Sequence, residues 1–265
     1  MCRLFAFRSH APRDVRAELL EQRNSLKTLS REHCDGWGIA TWDPSRGPNV
    51  VRGIAAAHAD PGFATAASPG PSNLLFAHVR QASVGNVMLE NVHPFARGPW
   101  AFMHNGTLTD FHRHREALEG HIDPDLRATL TSTTDSERCF LLFLTALRAR
   151  TGRLDQISPR EAAAAIATVM RLVERHTDVA GGLPSSMNFL ASDGRILVAS
   201  RRGRSLYVSD GVTRGAFPAC GYPLDQVAIA SEPASDDQPW NEVAENDVLG
   251  VDADLTLQRW SLTEL

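Results

Sequence analysis

The order of elements written in this sequence predicts an α+β protein in which two successive long helices are flanked on both sides by strands. Three observations carry that expectation. Apolar runs such as Leu74 to Arg80 and Trp100 to His104 stay apolar until they end in polar residues. Two helices are announced by capping signals at Thr134-Asp135-Ser136-Glu137 and Ser158-Pro159-Arg160-Glu161. Short strand-like runs return after the second helix. Helix following helix argues against alternating βαβ units, so the helices should pack between or outside the sheets. A 43% hydrophobic composition over 265 residues is enough for a substantial core. No internal repeat, low-complexity stretch or linker-like composition divides the chain, so a single domain over 1–265 is expected.

The elements follow in order. Met1-Cys2-Arg3-Leu4-Phe5-Ala6-Phe7 reads as a buried opening strand. Asp14 can cap a helix carrying Val15, Leu19, Leu20 and Leu26. Asp35-Gly36-Trp37-Gly38 places two glycines beside an aromatic ahead of a strand, the pattern of close backbone approach or of a plain turn. Asp43-Pro44-Ser45-Arg46-Gly47-Pro48 is turn chemistry joining it to a second strand at Val50 to Ala57, together a hairpin, and Ala66 to Ser72 reads as a surface loop. The strand ending at Arg80 is followed by Gln81-Ala82-Ser83-Val84-Gly85. The strand ending at His104 is followed by Asn105-Gly106, which alone is a strong hairpin-turn signal. Thr134 and Glu137 open a helix through Cys139, Phe140, Leu141, Leu144 and Leu147, with Asp135 in its first turn where a carboxylate suits the helix dipole. The second helix runs from Pro159 to about His176. The last third reads as strands at Ser186 to Ala191, Arg195 to Ser200, Ser205 to Val208, Val227 to Ser231, and Asp247 to Leu262 with a break near Asp252.

Composition narrows the function. A formal net charge of -4 gives no general attraction to nucleic acid or to an anionic membrane. No apolar run reaches the roughly 18 residues of a membrane span and none resembles a leader, so the expected location is cytoplasmic. Cys2, Cys34, Cys139 and Cys220 are far apart and form no Cys-x-x-Cys pair, which indicates neither a disulfide framework nor a zinc site. His112 and His114 sit among Arg113, Arg115 and Glu116, as on a solvated helix face, so no metal and no cofactor is expected. The distinctive feature is Cys2. Removal of Met1 would leave a thiol and an α-amine on one residue, a nucleophile and a base with ordinary pKa values near 8.5 and 8.

Taken in order, Cys2, His78-Val79-Arg80-Gln81-Ala82-Ser83-Val84-Gly85, Asn91-x-His93-Pro94, His104-Asn105-Gly106 and Thr134-Asp135-Ser136-Glu137 resemble the class II glutamine amidotransferase domain of the N-terminal-nucleophile hydrolases. The motifs span residues 2–137. Ser231-Glu232-Pro233 with Trp240, and Asp35-Gly36-Trp37-Gly38, are similar to the stand-alone branch that includes YafJ-type proteins and a γ-glutamyl hydrolase of ergothioneine synthesis. The resemblance implies a four-layer αββα sandwich. It also implies that Cys2 attacks the side-chain carboxamide of glutamine or a γ-glutamyl amide, while Asn105 and Gly106 donate to the oxyanion. By the same carry-over Arg80 pairs with the substrate α-carboxylate, Asp135 accepts from its α-ammonium, and Ser83 and His104 complete the binding site.

Two departures stand out. Gln81 and Ser83 replace the Trp and Thr that follow the motif arginine in synthase-linked relatives, and Glu32-His33 replaces an Arg-Gly pair. The expected partner is a small-molecule substrate. Two other readings remain beside a stand-alone hydrolase: a subunit passing ammonia to a separate synthase, and a non-catalytic relative that binds a γ-glutamyl metabolite.

Overall fold

The computed structural model describes residues 2–43, 45–178, 181–211 and 222–265. Met1, Pro44 and Cys220, each singled out in the sequence, lie outside them. The strands are β1 (Arg3–Arg13), β2 (Trp37–Asp43), β3 (Gly47–Gly53), β4 (Ser72–Val79), β5 (Phe95–Arg97), β6 (Trp100–Thr107) and β7 (Ser186–Ser192). They continue with β8 (Leu197–Ser200), β9 (Tyr207–Ser209), β10 (Tyr222–Pro223), β11 (Gln226–Ala230), β12 (Asn241–Glu242), β13 (Asp247–Val251) and β14 (Thr256–Ser261). The helices are α1 (Arg16–Leu20), α2 (Leu26–Leu29), α3 (Pro61–Ala66), α4 (Phe111–Glu119), α5 (Pro124–Arg127), α6 (Asp135–Thr151) and α7 (Pro159–Thr177).

Two antiparallel sheets form, in the orders β12-β9-β11-β1-β4-β2-β3 and β10-β14-β13-β8-β7-β6-β5. Alternation along each strand sorts its side chains between layers. On β1, Leu4 and Ala6 join the core between the sheets, while Phe5 and Phe7 face the layer of α1 to α3. On β6, Ala101 and Met103 enter the inter-sheet core, and Trp100 and Phe102 pack against α6 and α7. Both faces of both sheets are therefore covered, which is the αββα sandwich. It also explains why these strands read as continuous apolar runs although every pair is antiparallel: neither face is left to solvent.

The two long helices start where their caps predict. Thr134 Oγ1 accepts from the Glu137 N–H, and Ser158 with Glu161 forms a complete capping box ahead of Pro159. Glu137 does not close the first box. Its carboxylate reaches back to the N–H groups of Thr131 and Ser132 and pairs with Arg97 at 2.9 Å.

Some expectations are corrected. The helix expected from Val15 to Leu26 is two short pieces, because Asn24 turns away to bond the Pro233 carbonyl through its side chain and the Ala234 carbonyl through its N–H. The second strand of the first hairpin ends at Gly53, and α3 occupies residues just before the expected loop. Asn105-Gly106 is no turn: both lie inside β6, opposite Asn188 and Met187 of β7. Gly38 confirms close backbone approach, since a Cβ there would overlap the His93 carbonyl.

Candidate active site

Strand direction gathers the motif residues at one end of the sandwich. Cys2 immediately precedes β1, Arg80 follows β4, Asn105 and Gly106 end β6, and Ser231 follows β11. The loops after β4 and β6 do not neighbour each other within one sheet; they face each other from the two sheets.

Cys2 is 8% exposed, and its Sγ donates to the Gln81 carbonyl at 3.5 Å. Burial pushes the thiol pKa above its ordinary value, opposed by the Gln81 hydrogen bond and by the positive charge of Arg80. A thiol held above its ordinary value needs a base before it can attack. Three bonds hold the peptide around it. Arg3 donates to the Cys2 carbonyl at 3.1 Å and pairs with Glu232 at 3.2 Å, and Leu4 N–H donates to Ser231 Oγ at 3.1 Å.

Arg80 is buried, and its guanidinium donates to the carbonyls of Val84, Gly85 and Asn86. Three hydrogen bonds from a group with five N–H donors leave donors uncommitted to the loop. Burial lowers its pKa below the ordinary guanidinium range, while Cys2, Asp35 and Asp135 oppose that shift electrostatically. Asp35 supports the same turn, its carboxylate accepting from Ala82 N–H at 2.8 Å and its own N–H donating to the Arg80 carbonyl. Ser83 is exposed and bonds Thr107 Oγ1 at 2.7 Å, linking the two loops at the mouth.

Asn105 is 2% exposed; its Nδ2 donates to Ser231 Oγ at 3.2 Å, and its Oδ1 is buried with no partner among the described residues. Gly106 is required by space, because a Cβ would overlap the Ser186 carbonyl and the His104 ring. His104 is fully buried, Nε2 donating to the Ser186 carbonyl and Nδ1 meeting Ser136 Oγ, both at 2.9 Å. Its ring nitrogens are thus occupied by β7 and α6. Asp135, 3% exposed at the start of α6, accepts from Leu108 N–H at 2.9 Å and from Ser136 Oγ at 3.2 Å. Its negative charge also reaches Cys2 and His104.

Buried neutral histidines lie beneath this layer. The rings of His78 and His93 meet with centroids 4.3 Å apart, tilted by 33°, and burial pulls His78 down to about 3 and His93 well below its ordinary value. His33, at the departure from the Arg-Gly pair, is buried, and burial with the nearby charge of Arg3 pulls it down to about 4 against a raising contact with the Gln81 side chain.

The sequence points to Cys2, Arg80, Ser83, His104, Asn105, Gly106 and Asp135 as site residues and to Gln81 as a departure in the pocket wall, but it gives no role to Ser231, Ser136 or Ser186. The rule that sites gather at strand ends would have found Ser231, had it been applied to β11 as it was to β4 and β6.

A family model for class-II glutamine amidotransferases matches residues 1–252. The chain is 27% identical to the probable glutamine amidotransferase DUG3 of Saccharomyces cerevisiae over 95% of its length and 82% of that protein. It is 27% identical to the putative glutamine amidotransferase YafJ of Escherichia coli, covering 92% of this chain and 94% of YafJ. It is 25% identical to the γ-glutamyl-hercynylcysteine sulfoxide hydrolase of Mycolicibacterium smegmatis, over 95% and 96% of the two chains. Among solved structures, a glutamine aminotransferase class-II domain protein from Silicibacter pomeroyi superposes with a TM-score of 0.65 at 23% identity, over 98% of this chain and 99% of that one. The glutamine phosphoribosylpyrophosphate amidotransferase of B. subtilis gives 0.64 at 17% identity; this chain covers 98% of itself but only 49% of that larger protein. The chain belongs to the class II glutamine amidotransferases, with the N-terminal-nucleophile hydrolase fold.

Proposed function

We propose that this class II glutamine amidotransferase hydrolyses the γ-carboxamide of glutamine or of a γ-glutamyl amide through a thioester on Cys2. The observation that carries the reading is the meeting of the Cys2 thiol, the Arg80 turn and the Asn105 carboxamide at one closed end of the sandwich. The relative named as a γ-glutamyl-hercynylcysteine sulfoxide hydrolase supports the γ-glutamyl class of substrate.

With Met1 removed, the α-amine of Cys2 takes the thiol proton, directly or through a water. Sγ then attacks the carboxamide carbon, and the carbonyl oxygen becomes an oxyanion facing Asn105 and Gly106. Collapse breaks the C–N bond, the amine leaves with the proton, and a γ-glutamyl thioester remains. Water adds to the thioester, the C–S bond breaks, and glutamate departs as the thiol is restored. Arg80 offers its uncommitted N–H groups to the substrate α-carboxylate, and Asp135 accepts from the α-ammonium. Ser83 lines the mouth, and His104 acts as a brace beneath Asn105 and Gly106.

A panel of L-glutamine and γ-glutamyl amides, read by glutamate release after intact mass has confirmed Cys2 as the first residue, tests the reading. Release that is fastest for one donor supports it; no release from a chain beginning at Cys2 rejects it for the isolated protein. A second reading, supply of ammonia to a separate synthase, is favoured by one feature. Val87, Met88 and Leu89 are 48%, 40% and 47% exposed on the loop whose base Arg80 holds, an apolar tip beside the mouth.

A further inference from the structure

Asn105 and Ser231 form a junction between the facing sheets at the catalytic end. Both are buried, at 2% and 1% exposure. Ser231 Oγ accepts from the Leu4 N–H at 3.1 Å and from Asn105 Nδ2 at 3.2 Å, and Ser231 N–H donates to the Leu4 carbonyl at 3.0 Å. Neither bond to Oγ uses the hydroxyl's own proton. On the other side of the same carboxamide, Asn105 Oδ1 is buried with no donor among the described residues.

A buried acceptor without a donor is costly, and the Ser231 hydroxyl is a donor within reach of the same group. The carboxamide can meet Ser231 in two orientations that differ by a half-turn about its last side-chain torsion and occupy nearly the same volume. In one, an amide N–H is spent on Ser231 and Oδ1 is stranded. In the other, the Ser231 O–H donates to Oδ1 while Oγ still accepts from Leu4, so every polar atom of the serine side chain is used. Both N–H groups of Asn105 are then directed away from Ser231.

We propose that Ser231 is a positioning residue for hydrolysis: its hydroxyl holds Asn105 Oδ1 and so fixes Nδ2 as the oxyanion donor. This rests on the reading of Asn105 as that donor. The same hydroxyl grips Leu4, two residues from the nucleophile, so one side chain sets both the donor's orientation and the register of the strand carrying Cys2. The serine's two bonds to Leu4 and its bond to Asn105 span β1, β11 and β6, which no single strand could align alone.

The test compares Ser231→Ala, Ser231→Thr, Asn105→Ala and the Ser231→Ala/Asn105→Ala double variant on the donor that the unmodified enzyme turns over fastest. The alkylation rate of Cys2 by iodoacetamide is measured in parallel, since that reaction uses the thiolate but no oxyanion donor. Expected is a kcat for Ser231→Ala lower by about tenfold or more, part of the roughly 10²–10³ that an oxyanion donor supplies. KM and alkylation should change little, and threonine, which keeps the hydroxyl, should restore most of the loss. On the Asn105→Ala background, Ser231→Ala should add no further loss. Unchanged kcat in Ser231→Ala with a slow Asn105→Ala would overturn the proposal and leave the oxyanion reading standing. A loss that multiplies through in the double variant, or an equal loss in alkylation, would place the effect of Ser231 on Leu4 and Cys2 instead. Unchanged kcat in Asn105→Ala would remove the oxyanion reading itself, and the proposal with it.

Discussion

Where β1 begins and β4, β6 and β11 finish, polar side chains are buried and several atoms lack partners among the described residues: Asn105 Oδ1, both ring nitrogens of His93, and Nδ1 of His78. At the opposite end, where β2 finishes and β7 turns into β8, there is more space. A cavity of about 820 Å³ opens there between Trp42, Arg46, Pro99 and Arg195. Its acidic residues are occupied as turn-makers, Asp43 accepting from Ser45 and Arg46 and Asp193 from Arg195 and Ile196. Volume therefore does not mark the end where the motif residues gather. Buried polar side chains cluster at that end, while unpartnered buried atoms also occur elsewhere among the described residues, Arg8 Nε beside the cavity included.

Cys2→Ala should abolish hydrolysis and leave the fold intact, read as glutamate release beside a thermal melt; residual turnover at the unmodified rate would remove the nucleophile from the catalytic end. Asn105→Ala should lower kcat by roughly 10²–10³ with a smaller effect on KM. Asp135→Asn removes a charge while keeping one acceptor for Leu108 N–H. Its expected outcome is a KM raised about tenfold or more, and an unchanged kcat/KM would reduce Asp135 to a strut between α6 and the loop after β6.

The buried histidines sharpen the contrast through pH. His78 and His33 have folded pKa values of about 3 and about 4, below the ordinary 6.5 of an unfolded chain. The unfolded state therefore binds more protons between those values. Stability should be fully present above about pH 6.5 and fall as the pH drops toward 4, by roughly 1 kcal/mol per pH unit for each such histidine. Denaturant midpoints at pH 7.5, 6 and 5 measure it; a flat profile would mean these rings are not neutral and buried. The smallest effect is expected at the opposite end, where Arg46→Ala and Arg195→Ala should leave kcat and KM unchanged.

Much of this division was legible in the sequence, for physical reasons. β1, β4 and β6 are buried on both faces, so their apolar runs are long and end sharply at Arg80 and at the residues around Asn105. The capping signals of α6 and α7 are local chemistry and mark where both helices start, although only the α7 box closes. Asn105-Gly106 misleads in isolation because Asn-Gly favours a tight turn wherever the backbone is free, whereas here pairing with β7 and the Ser186 carbonyl fix it as strand. The helix after Asp14 breaks because Asn24 bonds a segment more than two hundred residues away, which periodicity cannot register. Ser231 was visible as part of a motif, but its task depends on Leu4 and Asn105, partners that only the folded chain brings to it.

If the reacting end is the one carrying Cys2, acid-quenched turnover will trap the acyl group there. The purified protein is mixed with its fastest γ-glutamyl donor, quenched within the first turnover, and mapped by peptide mass. The expected product is one added glutamyl group, labile to thiols and base, on a peptide whose first residue is Cys2. A glutamyl group on Cys34 or Cys139, or steady glutamate release by chains that still carry Met1, would contradict it.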